Sequence, residues 1–479
     1  MKRSTIILAG CVFFHLAQSQ NITGDWKGNL SVQGNEIPIV FHIKKDSADK
    51  LAATFDSPKQ YAFNLPCSDI TVSDSVVLWM KVLNGKYAGK LSADNKTLTG
   101  VWYQGAVSLP LTVFKTNDTA TTASLKRPQT PKPPFNYAVE EVAFDNADRS
   151  VHFGGTFTVP VPDSNIRYIK APTYRTVILI SGSGQQDRDE TIFGHKPFAV
   201  LADHLTRQGI AVLRIDDRGI GKTTGNFSRA TTGDFAEDLA AAINFLKKRR
   251  DVDTGYIGLI GHSEGGMIAP MVASRRKDIS YIVLLAGPGI PIINLMSDQV
   301  KAVYTSYNNS PPTVKAGGEL FRLFAKQVIN SKDTAINKKV FTNIMEKWAS
   351  ATDKAVLEEM KLADTASRLK SINEQIAQLG SPWYNYFIRF KPADYLRKVA
   401  CPVLALNGEK DIQVSAKPNL MAIKNAIVKS KATVKELPGL NHLFQHCQKC
   451  TVEEYGELKE TFSPEVLGII SSWIKNIKK

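Results

Sequence analysis

The apolar positions of the chain fall into three successive regimes. Across 20–115, short runs rich in β-branched and aromatic residues stand between turn residues, as at 37–43, 76–82 and 109–114. This pattern predicts a separate all-β unit. The stretch 116–135 is rich in Thr, Ala, Lys and Pro and ends in Pro131-Lys132-Pro133-Pro134, which predicts a partly extended linker. From 136 to 479, buried-strand runs alternate with helical stripes, as a mostly parallel sheet requires. A leading pair of strands is expected over 137–159. Apolar strands follow at 176–180, 210–215, 256–260 and 281–286. Phe198, Leu201 and Leu205 make a helical stripe that stops at Gly209. Asp234 with Glu237 is expected to cap the helix carrying Phe235, Leu239, Ala242, Ile243 and Leu246.

Over 291–395 the strand rhythm is lost and long helical segments replace it, among them 315–330 and 355–379. They predict a helical cap inserted between two sheet strands. The sheet resumes at 402–408, and a further strand runs through 433–437. Ser463-Pro464 opens a last helix with Val466, Ile469, Ile470, Trp473, Ile474 and Ile477 on one face. The fold class is therefore α/β: a doubly wound, mostly parallel sheet with a helical cap, preceded by a small all-β barrel or sandwich. Gly24-Asp25-Trp26 in the β unit resembles the opening of lipocalin-like barrels, and is echoed by Gly100-Val101-Trp102. Plugging the ends of such a barrel is the preferred role for the two tryptophans over ligand binding.

Composition narrows the functional classes. Hydrophobic residues make up 43% and charged residues 22% of the 479, a globular balance. The net charge is +15, yet the lysines are spread along the chain with no dense basic arm. That argues against nucleic acid as a partner. Met1-Lys2-Arg3, an apolar run to Leu16, and Ala17-Gln18-Ser19 read as a signal peptide over 1–19. The run is short for a stable membrane span. Leu8-Ala9-Gly10-Cys11 resembles a lipoprotein cleavage box, but Val12-Phe13-Phe14 continue the apolar run. Export to a periplasmic or secreted location is therefore expected over lipid anchoring at Cys11. Cys447 and Cys450 either close a small loop or remain free thiols, and no second pair stands at zinc-site spacing.

The chemistry concentrates at 256–269. An apolar strand runs into Gly261-His262-Ser263-Glu264-Gly265 and on into an apolar helical segment. Gly-x-Ser-x-Gly in that context places a serine on a tight strand-to-helix turn, its hydroxyl projecting from the sheet. A serine hydroxyl needs a base, and the base needs an orienting acid. Both belong at the carboxyl ends of strands. Of the eight histidines only His442 and His446 follow the last strand, and His442 lies directly in its turn. His262 is expected to be a packing residue. Asp411, deep in the loop after the resumed strand, is the preferred acid, with Glu409 the alternative. The backbone N–H of Glu264 is placed to face an oxyanion.

The order Ser263, Asp411, His442 is that of α/β-hydrolases. With Ser181-Gly182-Ser183-Gly184-Gln185-Gln186-Asp187-Arg188-Asp189, Gly408-Glu409-Lys410-Asp411 and Asn441-His442, the chain from about 135 onward resembles that superfamily. More narrowly it resembles exported bacterial serine esterases with an extra N-terminal β domain. The resemblance implies a second oxyanion N–H from Ser183 or Gly184, acyl-ester substrates, and no metal or organic cofactor. Residues 185–189 either line the pocket rim or brace the loop. Trp383, Tyr384 and Phe387, near the return to the sheet, are the candidate pocket residues. A serine peptidase (aminopeptidase or prolyl-oligopeptidase-like) and a thioesterase share these motifs. A non-enzymatic binding protein on the same scaffold is a third reading.

Overall fold

The computed structural model describes residues 21–32, 35–46, 48–60, 62–105, 107–116, 127–162, 172–331 and 337–478. The expected signal peptide and Cys11 lie outside them, as does much of the expected linker. The chain divides into two compact units, 1–124 and 125–479.

The first unit is one antiparallel sheet of nine strands. They are β1 (Gly24–Val32), β2 (Asn35–Lys45), β3 (Leu51–Ser57), β4 (Ala62–Pro66), β5 (Asp69–Val72), β6 (Val76–Met80), β7 (Gly85–Leu91), β8 (Thr97–Gln104) and β9 (Val107–Thr116). Their order is β4-β3-β2-β1-β9-β8-β7-β6-β5. The sheet curls, so that β5 returns against β3. Alternate residues point inward because side chains alternate along a strand. Trp26, Phe41, Phe55, Tyr87 and Trp102 are buried there together. The Trp26 indole donates to Ile22 O at 2.8 Å. The strand predicted over 76–82 stops at Met80, where a 3-10 turn takes over.

The second unit is built on an eight-stranded sheet. Its elements begin with β10 (Tyr137–Asp145), β11 (His152–Pro160), β12 (Tyr174–Ile180), α1 (Pro197–Arg207), β13 (Ala211–Ile215), α2 (Thr232–Leu246), β14 (Val252–His262), α3 (Gly265–Ala273) and β15 (Tyr281–Leu285). The insertion follows as α4 (Ile292–Ser306), α5 (Pro311–Asn330), α6 (Lys338–Ser350), α7 (Lys354–Glu359), α8 (Thr365–Leu379), α9 (Pro382–Ile388) and α10 (Ala393–Leu396). Then come β16 (Val403–Gly408), α11 (Ala416–Ala426), β17 (Ala432–Leu437), α12 (Glu454–Glu457) and α13 (Pro464–Lys475). The sheet order is β10-β11-β13-β12-β14-β15-β16-β17, parallel from β13 to β17. One face packs on α1 and α13, the other on α2, α3 and α11. Burial on both faces is why these strands read as continuous apolar runs.

Two helix expectations are corrected. The cap of α2 is Thr231, whose side chain and backbone exchange hydrogen bonds with Asp234, so the box sits three residues earlier than the Asp234–Glu237 pair. The expected helix over 355–379 is two helices, with Lys361 at φ +57° between them. The insertion's core is continuous with that of the sheet: Phe321, Phe324, Trp348, Leu357, Tyr384 and Phe387 are all buried in it. No described helix is long and apolar enough to cross a membrane.

Candidate active site

Ser263 stands immediately after β14, with φ at +51°. A side chain other than glycine rarely adopts that region, and its cost is held by the surrounding packing. The packing demands glycine at the flanks. A Cβ on Gly261 would lie 2.0 Å from Gly265 O, and one on Gly265 would lie 2.1 Å from Ile180 O. The turn therefore closes only with those two side chains absent. The N–H of Glu264, at the start of α3, meets no protein acceptor among the described residues.

Asp411 and His442 come together as the sequence predicts. Asp411 follows β16, and its carboxylate is fully buried. One oxygen accepts the Gln413 and Val414 N–H groups at 2.8 and 2.9 Å; the other is 2.8 Å from His442 Nδ1. That contact puts the neutral ring's proton on Nδ1 and leaves Nε2 as the basic nitrogen. His442 follows β17 in a turn held by Asn441, whose side chain accepts from the Leu443 and Gln445 N–H groups. Glu409 instead is paired with Lys410 and accepts from Gly439 N. His446 is exposed and paired with Glu460. Cys447 and Cys450 form a disulfide.

The loop after β12 lies against the serine: a Cβ on Gly182 would sit 3.2 Å from Ser263 Cβ. Gly182 N donates to Glu190 Oε1 at 2.6 Å. The neighbouring Ser183 N–H has no protein acceptor among the described residues. Of residues 185–189, Gln186 to Asp189 brace this loop. Arg188 bridges Asp216 and Glu141, Asp189 pairs with Lys196 and Arg214, and Asp187 accepts from Asp189 N and Thr191.

His262 does more than pack. Its Nδ1 is 2.9 Å from Glu190 and its Nε2 3.0 Å from the His442 carbonyl, so it ties the loop after β12 to the histidine turn. Burial works most strongly against its charged form, but the Glu190 carboxylate, the His442 carbonyl and the Asp411 charge together outweigh it and raise the pKa.

Two acids here were not singled out as titrating groups by the sequence. The Glu264 side chain is wholly buried, and burial pushes its pKa up to about 7 although Thr232 Oγ1 and Trp383 Nε1 donate to it. Asp217, two residues beyond β13, accepts from Ser181 Oγ and Gln186 N. Burial raises it to about 8, with the charges of Glu264 and Glu190 adding to the effect. Both acids line a cavity of about 40 Å³ beneath the loop, together with Ser181 and Gly182.

Trp383 is the pocket candidate that reaches the elbow, at 2.9 and 3.1 Å from the Glu264 oxygens, with its ring stacked on Phe387. Tyr384 and Phe387 are buried behind it.

The model of the serine aminopeptidase S33 family matches residues 195–446, just over half of the chain. The chain belongs to that family. This S33 protein is an α/β hydrolase carrying an additional N-terminal β unit. It is 26% identical to Esterase EstD of Thermotoga maritima over 340 residues, 70% of this chain and 69% of that one. It is 22% identical over 278 residues to an uncharacterised 31.7 kDa protein of Escherichia coli, covering 57% of this chain and 84% of the other. The esterase Pf2001 of Pyrococcus furiosus is similar at 16% identity and a TM-score of 0.40, over 74% of this chain and 99% of that one.

Proposed function

We propose that this S33 hydrolase cleaves carboxylic esters through an acyl-enzyme on Ser263. The observation that carries the reading is the buried Asp411–His442 pair at the same sheet edge as a serine held at positive φ. In the proposed cycle, Ser263 Oγ attacks the acyl carbonyl and its proton passes to His442 Nε2. Asp411 holds the Nδ1–H and stabilises the imidazolium. The tetrahedral oxyanion accepts hydrogen bonds from Glu264 N–H and Ser183 N–H. The intermediate collapses as the alcohol leaves with the proton from His442. Water then attacks the acyl-enzyme as His442 takes its proton; the Ser263 Oγ–acyl bond breaks, His442 returns the proton to Ser263, and the carboxylic acid departs. No metal or organic cofactor enters the cycle.

The likeness to Esterase EstD supports esters, whereas the family description supports an aminopeptidase as the second reading. p-Nitrophenyl acyl esters and aminoacyl p-nitroanilides, assayed side by side, separate them. The ester reading expects turnover of the first set alone; anilide turnover would install the peptidase in its place. The apolar leader over 1–19 supports an exported location, periplasmic or secreted.

A further inference from the structure

The β unit holds a second cavity that the hydrolytic cycle does not use. Its volume is about 390 Å³, within the range of roughly 300–1,000 Å³ found for small-molecule sites. Leu30, Phe55 and Trp102 are buried at its floor, and Ile37, Leu65 and Leu109 are half-buried in its walls. Each comes from a different strand, so the inward positions of six strands converge on one space. Ser57 and Gln104 are the polar residues there, and Gln104 Oε1 already accepts from the Trp102 indole at 3.3 Å. Among the described residues no charged side chain lines the space. Exposed Gln104 and Val107 stand at its rim.

Protein interiors seldom keep a void larger than a water molecule. Four residues along β1 the same interior is filled: Trp26 pairs with Phe41 across β1 and β2, and Phe41 packs on Tyr87 at 5.1 Å. The void therefore belongs to one end of the sheet rather than to loose packing throughout. We propose that it binds a neutral small molecule with an aliphatic chain. An uncharged apolar lining excludes water-seeking head groups from the floor, because burying an unpaired charge there is strongly unfavourable. This proposal does not depend on the ester-hydrolase reading.

The test uses the full-length Ser263→Ala chain and the neutral fluorophore N-phenyl-1-naphthylamine. Saturable one-site binding is expected, with energy transfer from Trp102. Dodecanol and methyl dodecanoate should displace the probe at pH 8, and dodecanoate should compete poorly. Ala62→Phe and Leu109→Trp, which place a ring in the void, should each weaken binding by about tenfold through lost apolar contact. Near-wild-type hydrogen-exchange protection of β1 to β9 in the same variants without probe reports that the β unit folds. Independently of any filling variant, the probe should slow hydrogen exchange in β1, β4 and β9. Absence of saturable binding would overturn the proposal. So would protection confined to the hydrolase unit, or equal affinity in folded filling variants. Stronger competition by dodecanoate than by dodecanol would overturn the neutral-ligand assignment.

Discussion

The acids around Ser263 are separated by their surroundings. Asp411 receives two backbone N–H groups and an imidazole, a setting built for a carboxylate. Asp411→Asn should lower kcat by about ten-thousand-fold, the precedent for favouring the wrong tautomer. Glu409→Gln should leave turnover near wild type, since Glu409 faces solvent; the reverse ranking would move the acid to Glu409. Glu264 is the opposite case, buried and held near neutrality at about 7. Its ionised form would set a negative charge beside the proposed oxyanion, so acylation should fall as pH rises through about 7. Glu264→Gln should flatten that alkaline limb in a kcat/KM profile. The linkage has a definite sign as well. The folded value lies above the ordinary 4.5, so folding takes up a proton between these values and stability falls as pH rises from 4.5 to 7. Melting curves of Glu264→Gln should lack that loss. Trp383→Phe removes a donor that favours the carboxylate while keeping an aromatic ring, and should move the limb to higher pH.

At the scale of elements, the elbow was legible because its constraint is local: strand, two glycines and helix are contiguous in sequence. The pairing of Asp411 with His442, the proposed acid and base, was legible because strand ends predict where such residues lie. Glu190, Asp217 and the Trp383–Glu264 contact were not, since each depends on segments brought together only by the sheet and its insertion. The break at Lys361 escaped the periodic pattern because both flanking segments keep helical character. Within α9 two of the four aromatic residues, Trp383 and Tyr384, divide their roles. Tyr384→Ala should cost about 3–5 kcal/mol of stability, the usual range for emptying a buried aromatic site, as read by chemical denaturation. Trp383→Ala should instead change the preferred acyl length in a graded ester panel. If Trp383→Ala only lowers the melting point and leaves the ester profile unchanged, α9 is a cover and the pocket lies elsewhere.

At the scale of the whole molecule, each unit has its own core and its own pH signature. In the β unit, His42 sits between Asp25 and Asp56 at 2.8 and 3.0 Å. The Asp56 hydrogen bond chiefly raises its pKa to about 9, against the opposing effect of burial. The stability it contributes is complete below 6.5 and is lost as pH rises through about 9. Hydrogen exchange in β2, corrected for its intrinsic rate, should show that loss, and His42→Gln should abolish it. The central claim is acyl transfer to Ser263. The most direct measurement is fluorophosphonate labelling of the intact chain, with the modified peptide located by mass spectrometry. One phosphonylated residue, Ser263, is expected, with ester turnover lost in step. Ser263→Ala should be unlabelled, still folded, and slower by about a million-fold. Labelling elsewhere, or a Ser263→Ala chain that keeps its turnover, would contradict acyl transfer to Ser263.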